Sequence, residues 1–289
     1  MTSARLAVII PHYNDPARLK SCLASLAPQV TDRADVEVVV ADNASPIDLG
    51  TMQAAYPWAR FVTERDKGAA AARNCGVGKT TAPYVAFLDS DCVPAPDWLE
   101  TALELCGTAD LVGGRVDTFD ETPPPRSGAE AFETIFAFHQ KSYIEEKGFS
   151  VTANLLTSRA VFDDVGPLVV GLSEDIEWCH RATGKGYRLV YADALQVGHP
   201  TRQDWPALVK KWRRTTEEGF HLNGTGAAGR AKWAVRALVV LVSGPLHLPR
   251  VAFSDRLSST GERWRAAATL LRLRATRCAW MLRQAATGA

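Results

Sequence analysis

Three short apolar runs, Leu6–Ile10, Val36–Val40 and Tyr84–Leu88, each end in a cluster of polar or turn-forming residues, and helical patterning separates them. Unbroken apolar runs of this length belong to strands covered on both faces, the environment of a parallel sheet. Pro11 closes the first run, Ala41-Asp42-Asn43-Ala44-Ser45 the second and Asp89-Ser90-Asp91 the third. Between them, Pro16–Leu26 sets Leu19, Leu23 and Leu26 on one helix face, Arg60–Thr63 reads as a short strand and Gly68–Val77 as an alanine-rich helix. Strands alternating with helices predict a doubly wound α/β sheet, whose ligands bind beyond the carboxyl ends of the strands. Pro11, Asp42 and Asp89 all lie at such ends.

Further along, Leu111–Val116 reads as a strand and Thr122–Ser127, with three consecutive prolines, as a mobile loop. Ala129–Tyr143 reads as one helix, and Glu174–Thr183 as another behind Ser173 as N-cap. Tyr187–Tyr191 is a strand reached through Gly184-Lys185-Gly186, and Asp204–Glu218 a helix carrying Lys210, Lys211, Arg213 and Arg214. No internal repeat is found. With 46% hydrophobic and 22% charged residues the chain is an ordinary globular protein, and disorder is excluded. Its six cysteines carry no C-x-x-C pair, which suits buried or free thiols in a reducing cytoplasm better than disulfides or a zinc site. The first residues run straight into a strand without a signal peptide, so a cytoplasmic location is expected.

The net charge of +1 conceals an asymmetry. From Arg230 onward eleven Lys and Arg face only Asp255 and Glu262, which leaves the rest of the chain with 22 basic and 30 acidic residues. A basic segment points to an anionic partner, a membrane surface or nucleic acid being the usual ones; peripheral attachment at the inner membrane face is expected, and the alternative is a helical tail packed on an acidic body. We therefore divide the chain into residues 1–228 and a basic helical extension, 229–289. The apolar stretch Trp233–Leu248 is interrupted by Arg236, Gly244, Pro245 and His247 and reads as too short and broken to span a bilayer. The last helix, about Glu262–Gln284, spreads its arginines around the wheel rather than segregating them.

Asp89-Ser90-Asp91 carries the chemistry. A carboxylate pair on a tight turn past a strand is able to hold a hard divalent cation, Mg²⁺ or Mn²⁺. Such an ion stabilises the charge left on a diphosphate when a sugar departs from it. In isolation the tripeptide is also an ordinary solvated turn. No G-x-G-x-x-G follows the first strand and no P-loop is present, which argues against dehydrogenase and kinase chemistry.

In VIIPHYND (Val8–Asp15), VVVADNAS (Val38–Ser45), KGAAAARNCG (Lys67–Gly76), FLDSDCVP (Phe87–Pro94), TANLLTSRAVFDDVG (Thr152–Gly166) and LSEDIEWCHRATGKGYRLVYADALQVGH (Leu172–His199), the chain resembles the family 2 glycosyltransferases. The resemblance runs in order from about Leu6 to about Arg214. It implies the GT-A fold, a Rossmann-like nucleotide-diphospho-sugar transferase with a doubly wound mixed sheet. It also implies a metal-dependent, inverting transfer from a nucleotide diphosphate donor, by preference a UDP-sugar, to an acceptor hydroxyl.

The resemblance gives residues roles position by position. Pro11 and Tyr13 flank the base and ribose, and Asp42 accepts from the base, although Asp42 also suits a turn or N-cap. Arg73 and Asn74 lie near the nucleotide, Asp89 and Ser90 face the ribose and metal shell, and Asp91 is the direct metal ligand, completed by His199. Glu174-Asp175 is the acidic pair of the acceptor side, Asp175 serving as base and Glu174 orienting it; dipole stabilisation at a helix start is the alternative. Asn154 belongs to the acceptor side, and Trp178 either walls the sugar pocket or packs in the core. Lys211-Trp212-Arg213 departs from the processive relatives' Gln-x-x-Arg-Trp, which favours a single transfer. No cysteine has a paired base, so no covalent sugar-enzyme is expected. The acceptor is a glycan, a lipid-linked molecule or a small molecule, and nucleic acid is not expected. Two other readings remain: an inactive sugar-nucleotide or glycan-binding protein on the same fold, and a nucleotidyltransferase, whose Gly-rich phosphate loop Pro11–Asp15 does not supply.

Overall fold

A computed structural model describes residues 4–288; Met1–Ser3 and Ala289 lie outside the described residues, as does the reading made of the N-terminal end. The chain forms two compact units. The first runs to Asp117 and resumes from His139 to His199, and the second takes Thr118–Phe138 and the described residues from Pro200 onward.

The sheet has eight strands in the order β3-β2-β1-β4-β7-β6-β8-β5. β1 (Leu6–His12) is buried along its whole length and lies parallel between β2 (Val36–Asp42) and β4 (Tyr84–Leu88), with β3 (Ala59–Thr63) parallel outside β2. β7 (Asn154–Ser158) runs antiparallel to β4 and to β6 (Leu111–Phe119), so the sheet is mixed. At the far edge β5 (Val93–Pro94) pairs antiparallel with β8 (Leu189–Pro200), Val93 opposite Gly198. Helix α1 (Pro16–Val30) starts with Asp15 as N-cap and Pro16 at its first position, where the missing amide costs nothing. It lies against the sheet through Leu19, Cys22, Leu23 and Leu26. Helix α3 (Ala69–Gly78) approaches β1 at Gly76, where a methyl group would come within 2.5 Å of Ile9 Cγ2. Only glycine permits that spacing, and it brings Arg73 down onto the strand ends.

In the second unit, α5 (Gly128–Phe136) opens with a capping box between Ser127 and Glu130. The stretch read as one helix over Ala129–Tyr143 is in fact broken. Ala137 is extended, Phe138 adopts φ +53°, and α6 (Gln140–Lys147) starts afresh in the first unit. α9 (Trp205–Asn223), α10 (Ala227–Leu246) and α12 (Thr260–Thr287) complete the second unit around Phe132, Leu208, Leu270 and Leu273 at one end and Phe220, Trp233 and Met281 at the other. α10 overturns the reading of a broken apolar stretch. Arg236 is solvent-facing and interrupts nothing, and Pro245 falls in the last turn, so the bond it removes weakens only the end of the helix. Gly244 lets the helix pass α12, since a methyl there would meet Leu271 Cδ2 at 3.2 Å.

Candidate active site

The site is built where β1, β2 and β4 end. His12 and Asp42 face each other in register, and the His12 Nδ1–H donates to Asp42 Oδ1 at 2.8 Å. Its Nε2 accepts from the Asp15 amide at 3.1 Å, which fixes the tautomer. Ser45 adds its hydroxyl to Asp42 Oδ1 at 2.5 Å and its amide to Oδ2 at 3.0 Å. Asp42 is therefore a buried, preorganised carboxylate whose Oδ2 keeps accepting capacity beyond the Ser45 amide. Neighbouring Asn43 donates to the carbonyls of Glu64 and Asp66 and accepts the Gly68 amide at 2.7 Å. It thereby shapes the loop that launches α3. Pro11 is buried, while Tyr13 is 57% exposed and presents its ring to solvent.

Arg73 is the central contact. It is 3% exposed, and its Nη2 donates to Asp89 at 2.5 Å while Nη1 donates to Glu174 at 2.9 Å. One buried cation thus joins α3, the turn after β4 and the start of α8 (Glu174–Gly184). Asp175, next along α8, takes the Ile176 amide on Oδ1 at 2.8 Å. Burial and the neighbouring Glu174 push its carboxyl up to about 6, against the opposing pull of Arg73. A carboxylate with that affinity for protons is ionised at neutral pH yet basic enough to accept one.

The segment leading into α8 is held by side chains. Asn74 brackets Leu168, donating to its carbonyl at 2.8 Å and accepting its amide at 3.0 Å. Trp178 Nε1 donates to the Gly166 carbonyl at 2.8 Å, and Arg181 donates to the carbonyls of Val165 and Pro167. Asn74 is thus tied to the segment before the acidic pair rather than directed at a nucleotide. Trp178 is fully buried against Phe162, so of its two readings the core position holds, with its polar tip used as a staple. Asn154, read as acceptor-side, is likewise interior. It is 0% exposed and its amide is spent on Trp98 and on the carbonyls of Arg115 in β6 and Leu195 in β8.

His199 comes to the opposite side of the β4 turn because β8 pairs with β5, and its Nε2 lies 3.4 Å from Asp91 Oδ2. Among the described residues no three His, Cys, Asp or Glu side chains form a metal cage. A carboxylate oxygen and an imidazole nitrogen are nevertheless donors that Mn²⁺ and Mg²⁺ accept, and ions serving phosphate chemistry take their remaining ligands from substrate phosphates and water. The donor set fits an open site of that kind. Ser90 sits between the two aspartates, half-buried. Beneath the turn, Cys22 and Cys92 are buried, and burial beside Asp91 and Asp89 pushes both thiols far up, so neither is a nucleophile at neutral pH.

His12, Asn43 and Ser45 carry functions that sequence reasoning did not assign. The signal for His12 was available: β1 and β2 are offset by a constant 30 residues, so aligning the two apolar runs sets position 12 against position 42.

A mixed sheet with ligand-competent side chains gathered past its strand ends is the GT-A arrangement. Two solved structures share it. The chain aligns over 99% of its length with 87% of a Pyrobaculum calidifontis mannosyltransferase in complex with GDP-Man and Mn²⁺, at TM-score 0.59 and 19% identity. It also aligns over 73% of its length with 47% of GalNAc-T7 in complex with UDP, GalNAc and Mn²⁺, at TM-score 0.54 and 16% identity. The glycosyl transferase family 2 model matches residues 7–166. Glycosyltransferase AglE of Haloferax volcanii is 33% identical over 220 residues, 72% of this chain and 71% of the relative. The pre-mycofactocin glycosyltransferase of Mycobacterium tuberculosis is 28% identical over 220 residues, 70% of this chain but 44% of that protein. The chain belongs to glycosyl transferase family 2, and it is a glycosyltransferase.

Proposed function

We propose that this enzyme moves a sugar from a nucleoside diphosphate donor to an acceptor hydroxyl in one displacement that inverts the anomeric carbon. The observation that carries the reading is Arg73, which holds Asp89 at 2.5 Å and Glu174 at 2.9 Å and so ties the donor-side turn to the start of the acidic helix. Beside that bridge lies Asp175, with its carboxyl pushed up to about 6 by burial and Glu174. Asp175 takes the acceptor proton while the acceptor oxygen forms its bond to the anomeric carbon and the bond from that carbon to the diphosphate breaks. Glu174 and Asp89 are oriented by Arg73. Asp91 and His199 would hold a divalent cation, Mg²⁺ or Mn²⁺, whose contribution when bound is to neutralise charge on the departing diphosphate. Asp42, fixed by His12 and Ser45, has a lone pair left for the N–H of a nucleobase, and the exposed Tyr13 ring is available to stack on it. We take the donor to be a UDP-sugar, with a GDP-sugar as the competing choice.

Donor hydrolysis, with water as acceptor, tests this without knowledge of the natural acceptor. UDP- and GDP-sugars are incubated with Mn²⁺, nucleoside diphosphate release is followed, and the configuration of the freed sugar is read by NMR before mutarotation. The expected result is an inverted product from one donor class and a loss of about 10²–10⁴-fold in Asp175→Asn. A retained configuration, or a rate unchanged in the variant, contradicts the assignment.

A further inference from the structure

Helix α10 presents an uncovered apolar face. Val235, Val239, Val242 and Leu246 fall at i, i+4, i+7 and i+11, one stripe of a helix, and all are exposed, Val239 at 62% and Leu246 at 70%. Leu238 and Leu241 widen the stripe on one side, and Phe253, 88% exposed, continues the apolar surface past the end of the helix. Solvated apolar area of that extent marks a binding surface. Ala227–Ala252 is, among the described residues, the one stretch long and apolar enough to cross a membrane, yet only 22% of its most apolar window is buried. Its inner side is already committed, because Trp233 and Ala237 pack with Phe220, Cys278 and Met281.

Basic residues without a carboxylate partner among the described residues lie beside and behind the stripe. Arg236 stands exposed along one edge of it, and His247, at i+11 from Arg236, is kept neutral because burial and the nearby Arg274 and Arg250 lower its affinity for a proton. On the side of α10 that faces α12, away from the stripe, Arg274 packs its stem against Gly244, and Arg277 stacks on Trp212 with 4.2 Å between guanidinium carbon and ring centroid and donates to Thr216 Oγ1 at 3.4 Å. Arg274 Nε, His247 Nδ1 and Trp212 Nε1 are buried with no hydrogen-bond partner among the described residues. Burial, with Arg274 and Arg236 nearby, pushes Arg277 down to about 9, and no carboxylate is among the charges acting on it. Buried polar groups without partners call for an explanation, and a concentration of like charges calls for an anion. An apolar stripe edged by the exposed Arg236, in a segment with eleven basic residues against two acidic ones, is a surface that an anionic bilayer complements. Acyl chains receive the aliphatic side chains, and lipid phosphate meets the Arg236 guanidinium, each cation near such a surface contributing about 1 kcal/mol.

We propose that α10 lies in the plane of an anionic membrane, with Val235, Leu238, Val239, Val242 and Leu246 inserted between headgroups and the exposed Arg236 on lipid phosphate. The helix does not span, because one side is packed within its own unit. The inference is independent of the transfer chemistry.

The test sediments the full-length protein with vesicles of phosphatidylcholine containing phosphatidylglycerol and with vesicles of phosphatidylcholine alone, at low and high salt. The comparison is with Val239→Glu/Val242→Glu, whose two sites are solvent-exposed and whose donor hydrolysis serves as the folding control. The expected outcome is binding to the anionic vesicles that weakens with salt, and a loss of at least about tenfold both in the variant and on neutral vesicles. Equal sedimentation of the two proteins, or no sedimentation of the wild type, overturns the proposal. So does resistance to carbonate extraction, which would mean a spanning helix. A wild-type dimer that binds no vesicles and that the variant converts to monomer by ultracentrifugation overturns it in favour of a second copy on the stripe.

Discussion

Arg73 in the first unit and the Arg274–Arg277 pair in the second are cations withdrawn from water, and the fold treats them in opposite ways. Arg73 finds two carboxylates at hydrogen-bond distance, so the charge at the strand ends is balanced inside the protein before any ligand arrives. Arg274 and Arg277 have no carboxylate partner among the described residues, and it is this, rather than a buried nitrogen without a partner, that separates them from Arg73, whose Nε also lacks one. A compensated cluster is rigid and holds groups in place for chemistry. An uncompensated one stays costly until something outside the chain supplies the missing charge. The same residue type is thus balanced inside the chain in one region and left without a balancing carboxylate in the other.

The largest expected effect follows from removing the compensation in the first unit. Arg73→Gln leaves Asp89 and Glu174 without their shared cation, and a buried pair broken on one side costs about 3–5 kcal/mol. Donor hydrolysis should fall by roughly 10²–10³-fold, as expected for losing a group that fixes catalytic geometry. A variant of near wild-type stability and rate would show the bridge to be incidental. Chemical denaturation and steady-state rates read both quantities.

Asp175→Asn sharpens the contrast in a second way, because here function and stability should part. The folded carboxyl is raised to about 6 from an ordinary value of 3.8, so its ionisation destabilises the fold. The penalty is absent below the ordinary value and complete above about 6. At neutral pH the variant should therefore be as stable as the wild type or more so, by up to about 3 kcal/mol, and the difference should vanish in acid. Wild-type hydrolysis should in turn decline as pH falls through about 6, as the base takes up its proton. Denaturation midpoints and rates across that pH range provide the check.

The smallest effect lies in the second unit, at the buried acid Glu133. Glu133 is buried, with Lys211 Nζ at 2.6 Å and the Arg202 amide at 2.8 Å. Although burial opposes it, Lys211 and Arg202 hold its carboxyl below the ordinary value. Because the folded value is the lower one, its contribution is complete above the ordinary value and is lost as pH falls through the folded one. Glu133→Gln should cost about 1–3 kcal/mol at neutral pH, with the gap closing in acid. No effect on donor hydrolysis beyond that loss of stability is expected.

The sheet was legible because a buried parallel strand demands an uninterrupted apolar run, and β1, β2 and β4 each supply one that stops at the polar cluster serving the site. The cluster was legible too, since strand ends are where such folds bind ligands. Side-chain direction was not. Asn154 and Trp178 stand in family motifs, yet one is spent inside the sheet and the other in the core, and residue type alone does not separate an interior staple from a substrate contact. The break at Phe138 was hidden because residues on both sides keep helical periodicity, and the left-handed backbone of one phenylalanine leaves no compositional mark. α10 was misread because Arg236, Gly244 and Pro245 were counted as interruptions, whereas each occupies a place on the helix that tolerates or requires it.

Nucleotide binding tests the central claim most directly. UDP, GDP and dTDP are titrated calorimetrically into the wild type and into Asp91→Ala, with and without Mn²⁺. The account predicts that one nucleotide binds in a Mn²⁺-dependent way and that the variant loses about 10–100-fold in that affinity. Binding that needs no metal and is equal in the variant, or no binding of any of the three nucleotides by well-folded protein, would contradict it.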